Sequence, residues 1–185
     1  MKRALLILAL ALLIPGVVAA EGTVGIYFDG PGIMHYSPAT GEWFNAYLYM
    51  HNAEYYITGI EYQLLTPLDP THVMIMMGAV EYPDESTLQM GDPFSGHTIT
   101  YWPPLNGFMP GYNLLCTIPF YAVAGCDQLD DFPLVIGPHP ATGELRATYY
   151  PENNYFYPAG LTSMLCPVET ATEEESWGAI KSLYR

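Results

Sequence analysis

Residues 23–165 alternate apolar and polar side chains in short runs, each closed by glycine, proline, asparagine or aspartate. Successive side chains of an extended strand point to opposite faces, so each run reads as a half-buried strand. Residues 43–51 show it most clearly. Phe44, Ala46, Leu48 and Met50 fall on one face, and Tyr47, Tyr49 and His51 on the other. Residues 55–65 place Ile60, Tyr62 and Leu64 inward, with Glu61 and Gln63 outward. Further runs lie at 23–28, 72–82, 98–102, 113–123, 132–136, 144–150 and 161–165. Turns fall at 29–32 and 37–41, and no helical period occurs before residue 170. Eight or nine short strands predict an all-β fold, a single antiparallel β-sandwich over residues 21–168. Residues 83–111 read as its loosest segment, a long loop around the 98–102 run.

The sandwich is preceded by Met1-Lys2-Arg3, an apolar run over 4–14, Pro15-Gly16, and the small residues Val18-Ala19-Ala20. This is the layout of a secretory signal peptide over 1–20, with a mature chain beginning at Glu21. The apolar run is well short of the ~20 residues of a spanning helix, so no transmembrane span is expected in the mature chain. The expected location is extracellular, cell-surface or periplasmic.

Removal of Lys2 and Arg3 leaves Arg146, Lys181 and Arg185 against nineteen acidic side chains. Three scattered cations cannot build the basic stripe that neutralises phosphates, so a nucleic-acid partner is excluded.

Three cysteines lie in an exported chain, which allows one disulfide and one free thiol. Cys116 shares a strand face with Leu114, Ile118 and Phe120 and behaves as a small buried hydrophobe. Cys126 stands at a strand end and Cys166 at the domain's end, so these two are paired; Cys116 with Cys126 is the competing pair.

Catalytic patterns are missing from the sequence. His35, His51, His72, His97 and His139 are dispersed without zinc-ligand spacing, and there is no Gly-x-Ser-x-Gly elbow or phosphate-cradling loop. The chain is therefore not expected to be an enzyme or to need a cofactor. One exception is calcium, because Asp127, Asp130 and Asp131 crowd a loop with the hard oxygen ligands that ion takes. Tyr47, Tyr49, Tyr149, Tyr150, Tyr155 and Tyr157 are candidates for stacking on sugars, and equally for cross-strand packing.

The period changes in the tail, 169–185. Thr172 and Glu175 fit a capping box, and Trp177, Ile180, Leu183 and Tyr184 form an apolar stripe at helical spacing. A helix this short is marginal alone in water, so its stripe must dock. It is expected to serve as a docking or sorting helix read by another component, with packing on its own domain as the competing outcome.

Leu48-Tyr-Met-His-Asn52, then Ile57-Thr-Gly-Ile-Glu-Tyr-Gln-Leu64, resemble the early strands of cohesin-type domains. Val24-Gly-Ile-Tyr-Phe-Asp29 resembles the opening strand of small exported cohesin-like bacterial proteins. Gly160-Leu-Thr-Ser-Met-Leu-Cys-Pro167 and Glu175-Ser-Trp-Gly-Ala-Ile-Lys-Ser-Leu-Tyr-Arg185 resemble their ending. The resemblance implies a nine-stranded jelly-roll-like sandwich with a non-catalytic binding or structural role. The chain departs from the pattern at Leu65-Thr66-Pro67 and has no dockerin repeat, so a dockerin partner is not implied. The expected function is a secreted or cell-surface structural or protein-interaction module. A carbohydrate-binding module is the alternative.

Overall fold

The computed structural model describes residues 21–28, 31–66, 75–108, 111–123, 126 and 131–167. The expected leader, Asp127, Asp130 and the tail stripe of Trp177, Ile180, Leu183 and Tyr184 lie outside the described residues. Every regular element among the described residues is a strand. In chain order these are β1 (Thr23–Tyr27), β2 (His35–Tyr36), β3 (Trp43–His51), β4 (Tyr56–Leu65), β5 (Ile75–Met77), β6 (Ser86–Asp92) and β7 (Gly96–Asn106). They are followed by β8 (Tyr112–Ala122), β9 (Phe132–Gly137), β10 (Arg146–Tyr150), β11 (Asn154–Phe156), β12 (Ala159–Gly160) and β13 (Thr162–Leu165). No described helix is long and apolar enough to cross a membrane.

Two sheets face each other. The smaller runs β12-β1-β3-β8-β5. In the larger, β4 pairs with β7 and β10 over most of its length and with β9 over its last three residues. Strand β6 lies outside β7, β11 outside β10, and β13 then β2 beyond β9. The alternation explains the core. Phe44, Ala46, Leu48 and Met50 of β3 are buried against Ile57, Ile60, Tyr62 and Leu64 of β4, with Ile99, Phe120, Phe132, Leu134 and Phe156 filling between. At about 25 cal/mol per Å² of apolar surface, this inter-sheet layer supplies most of the stabilisation. Two pairings are parallel, β1 with β12 and β2 with β13, and both bring the end of the domain back to its beginning.

The structure corrects three sequence expectations. Residues 83–111 are mostly a hairpin, β6 with β7, rather than a loop around one short strand. The Pro103-Pro104 pair sits inside β7, where the register with β4 jumps between Ile57↔Leu105 and Gly59↔Thr100. A bulge is where a strand tolerates residues that cannot donate to the ladder. The expected strand at 72–82 is described only as β5 and a single bridge from Glu81 to Thr117. On β8 the alternation slips: Leu48 pairs with Cys116 and Tyr49 with Leu114, so Leu115 is the extra residue and is buried while Leu114 is not.

The disulfide joins Cys126 and Cys166, with Cα atoms 5.0 Å apart, and leaves Cys116 as a buried free thiol. The competing Cys116–Cys126 pair is thereby set aside. Around Cys116 lies a polar island in the apolar core. The fully buried His97 is held through Nδ1 by the Tyr62 hydroxyl at 2.8 Å and through Nε2 by the Tyr82 hydroxyl at 2.9 Å. The Tyr62 hydroxyl also meets Cys116 Sγ at 3.4 Å, and the Tyr101 hydroxyl donates to the Leu115 carbonyl at 3.0 Å. Among the described residues, no buried side-chain nitrogen or oxygen lacks a hydrogen-bond partner.

Candidate interaction face

The strand registers place residues of five strands in two rows across the outer face of the larger sheet. One row runs Met90, Thr98, Glu61, Arg146. The next runs Leu88, Thr100, Gly59, Thr148, Tyr155. Met90 and Leu88 at the β6 edge are 59% and 48% exposed, and Tyr155 at the far end is 43% exposed. Trp102, Tyr150, Tyr56 and Phe108 are also exposed; the Trp102 and Tyr150 rings lie 6.1 Å apart and those of Tyr56 and Phe108 5.1 Å apart. Seven large exposed apolar side chains thus belong to one side of the molecule. So many large apolar side chains exposed on one side of a domain mark a candidate interaction surface.

The centre of the face is polar and internally paired. Arg146 Nε donates to Glu61 Oε2 at 2.8 Å and Nη2 to Oε1 at 3.3 Å, a two-point contact. The guanidinium lies 4.3 Å from the Tyr155 ring centroid, and Glu144 approaches its other side at 3.6 Å. These partners hold its proton even more firmly than usual, the hydrogen bond to Glu61 contributing most. Thr58 and Thr148 share a hydroxyl contact at 3.1 Å, and Thr87 and Thr100 another at 3.0 Å. Gly59 is required here: a Cβ would stand 2.8 Å from Thr148 Oγ1 and 3.1 Å from the Ile99 carbonyl. A shallow recess of about 90 Å³ opens between Gly59, Glu61, Thr100, Arg146, Thr148 and Tyr155. It is too small for a drug-sized ligand, whose pockets run to roughly 300 Å³ or more. The face can accept side chains of another protein rather than enclose a small substrate.

The outer face of the smaller sheet carries a different aromatic layer. Tyr112 stacks on His51 with centroids 4.6 Å apart and meets Tyr27 edge-on at 5.2 Å, while Tyr49 packs edge-on against both Tyr27 and Tyr112. Tyr27 is buried in this layer, and its hydroxyl proton is held more tightly by that burial and by Tyr112. These rings are engaged with one another.

The sequence-nominated tyrosines are therefore divided. Tyr47 and Tyr49 belong to the smaller sheet, Tyr150 and Tyr155 to the outer face of the larger, and Tyr157 is exposed beyond β11. Tyr149 turns inward onto Tyr55 and Phe156. They form no single sugar platform. For calcium, no group of three acidic, histidine or cysteine side chains among the described residues could hold a metal, and only Asp131 of the nominated three is described. The edge pair Leu88 and Met90 was missed because it lies in the segment read as loop. Its signal was the alternation Thr87, Leu88, Gln89, Met90.

The sequence matches no family model and no curated protein. Solved structures do match. A cohesin module of a family 33 glycoside hydrolase from Clostridium perfringens aligns over 81% of this chain and all of its own, with a TM-score of 0.52 at 9% identity. The third ScaB cohesin of R. flavefaciens, solved with a group 1 dockerin, aligns over 83% of this chain and 99% of its own, with a TM-score of 0.52 at 11% identity. The fold is cohesin-like.

Proposed function

We propose that this chain is an exported, non-catalytic interaction module that binds a protein on the outer face of its larger sheet. The two rows across β6, β7, β4, β10 and β11 carry the reading: an exposed apolar edge, a self-paired Glu61–Arg146 centre and an aromatic far end. Exposed aromatic and apolar side chains are the residues that anchor a protein partner, and polar groups already paired with each other leave no unpaired charge when the face is covered. The partner's contact surface is apolar and basic, because the mature chain offers nineteen acidic side chains against three basic ones. The R. flavefaciens cohesin was solved with a dockerin, which makes dockerin-type modules the first partner class to try. The leader at 1–20 supports export, and intact protein recovered from medium or envelope with Met1 still attached would overturn that part.

The test is quantitative binding by the mature chain. Leu88→Asp and Trp102→Ala should each weaken partner binding by tenfold or more without moving the thermal midpoint, while Tyr47→Ala on the opposite sheet should leave it intact. Equal loss in all three variants overturns the assigned face. Binding to insoluble polysaccharide, lost on Tyr47→Ala, selects the carbohydrate alternative. The tail at 169–185 is proposed as a docking or sorting element. Truncation after Pro167 should leave the thermal midpoint unchanged and abolish normal localisation; a large loss of stability with normal localisation makes the tail structural instead.

A further inference from the structure

We propose that the Tyr62–His97–Tyr82 bridge is an acid-sensitive lock on the β6–β7 hairpin, closed while the His97 imidazole is neutral and released when it takes up a second proton. The geometry comes first. His97 is the second residue of β7, directly after the hairpin tip, and lies opposite Gly91 of β6 and Tyr62 of β4. Its two nitrogens are both occupied by tyrosine hydroxyls from other segments, so one ring ties β7 to β4 and to the chain entering β6. A neutral imidazole offers one donor and one acceptor, and each hydroxyl can take the complementary role. Tyr62 completes the chain at Cys116 of β8.

A charged imidazolium fits this place poorly. A buried cation is costly unless paired. Burial depresses the His97 pKa to about 4 from 6.5; Asp92 on β6 opposes this and His139 adds to it. Among the described residues, the titratable groups of the same buried cluster are Tyr62 on β4 and Tyr82, which hold the ring, with Tyr101 on β7 and Cys116 on β8 next to those tyrosines. Burial raises the pKa of each, so all stay neutral in acid. Asp92 cannot simply swing in as a counterion. Its carboxylate accepts from the Phe94 amide at 2.9 Å and the Ser95 amide at 3.0 Å, and also holds the Ser95 hydroxyl. The sign follows: a folded-state pKa below the unfolded one gives stability that is full above pH 6.5 and is lost as pH falls toward 4. The tip at Gly91 to Gly96 and the Tyr82 segment are the parts that open first. The lock stands whether or not the outer face binds protein.

The experiment follows the unfolding constant of the mature chain from pH 7 to 4, beside His97→Gln, which keeps a donor and an acceptor but does not titrate. The native constant should rise about 100-fold more than the variant's between those limits. Should His97→Gln fail to fold, the ring resonances of His97 in the native chain serve instead, together with amide exchange. The imidazole should stay neutral in the folded chain down to about pH 4, and the opening constants of β6–β7 amides should rise as pH falls from about 6.5 toward 4, ahead of those of β1 and β3. Parallel pH profiles in native and variant, titration near pH 6.5, or exchange rising equally in all strands would each overturn the lock.

Discussion

Arg146 and Glu61 meet across neighbouring strands although the chain separates them by 85 positions. Both side chains are about one-fifth to one-quarter exposed, so water screens the pair. A double-mutant cycle of Arg146→Ala and Glu61→Ala should return a coupling of about 1 kcal/mol or less in stability. Partner binding should respond more strongly to Glu61→Ala, because the unpaired Arg146 then faces a basic partner.

Reduction, or Cys166→Ser, should cost about 2–4 kcal/mol, since the bridge closes 40 residues of chain. In a domain of this size the thermal midpoint should fall by about 5–15 °C. Calorimetry with and without reductant checks it; an unchanged midpoint would show that pairing with β9 and β2 holds the closing strand without the bridge.

Cys116 should be inert while the domain is folded. Burial pushes its thiol pKa up to about 12, and no thiolate forms near neutrality. A chromogenic thiol reagent should find no reactive group in the native protein and one on denaturation.

Gly160→Ala should destabilise the domain by about 2 kcal/mol or more, although the residue is at the surface. A Cβ there would lie 2.1 Å from the Ile136 carbonyl oxygen, and a backbone atom cannot yield as a side chain does. Chemical denaturation against Gly143→Ala, where nothing lies within 4 Å of the new carbon but φ is +71°, separates crowding from backbone strain.

The parts of the fold legible in the sequence are those where one face is apolar and the other is not. In β3, Phe44 to Met50 are buried in strict alternation, and in β4 Ile60, Tyr62 and Leu64 are buried with Glu61 and Gln63 outward. The β6–β7 hairpin was read as a loop because the alternation in β6 is only two apolar residues long, Leu88 and Met90, on an exposed edge strand, and β7 carries two prolines. Leu114 was placed on the buried face that Leu115 occupies, because a bulge spends one residue without advancing the register, which no periodicity records. His97 read as one of five scattered histidines, since Tyr62, Tyr82 and Cys116 reach it only through the fold. The Cys126–Cys166 bridge was readable by placing Cys116 on a buried face.

The parallel seam between β1 and β12 sets an order of events. Ser163 Oγ donates to the Ile26 carbonyl across 137 positions of sequence, and Leu161 N–H donates to the Val24 carbonyl beside it. A chain emerging amino end first has its opening strand in hand long before the strand that flanks it exists. Until then one edge of β1 stays bare, and contacts this distant in sequence form slowly. The seam can therefore shut only once the chain has been made as far as Ser163, however early β1 and β3 come together.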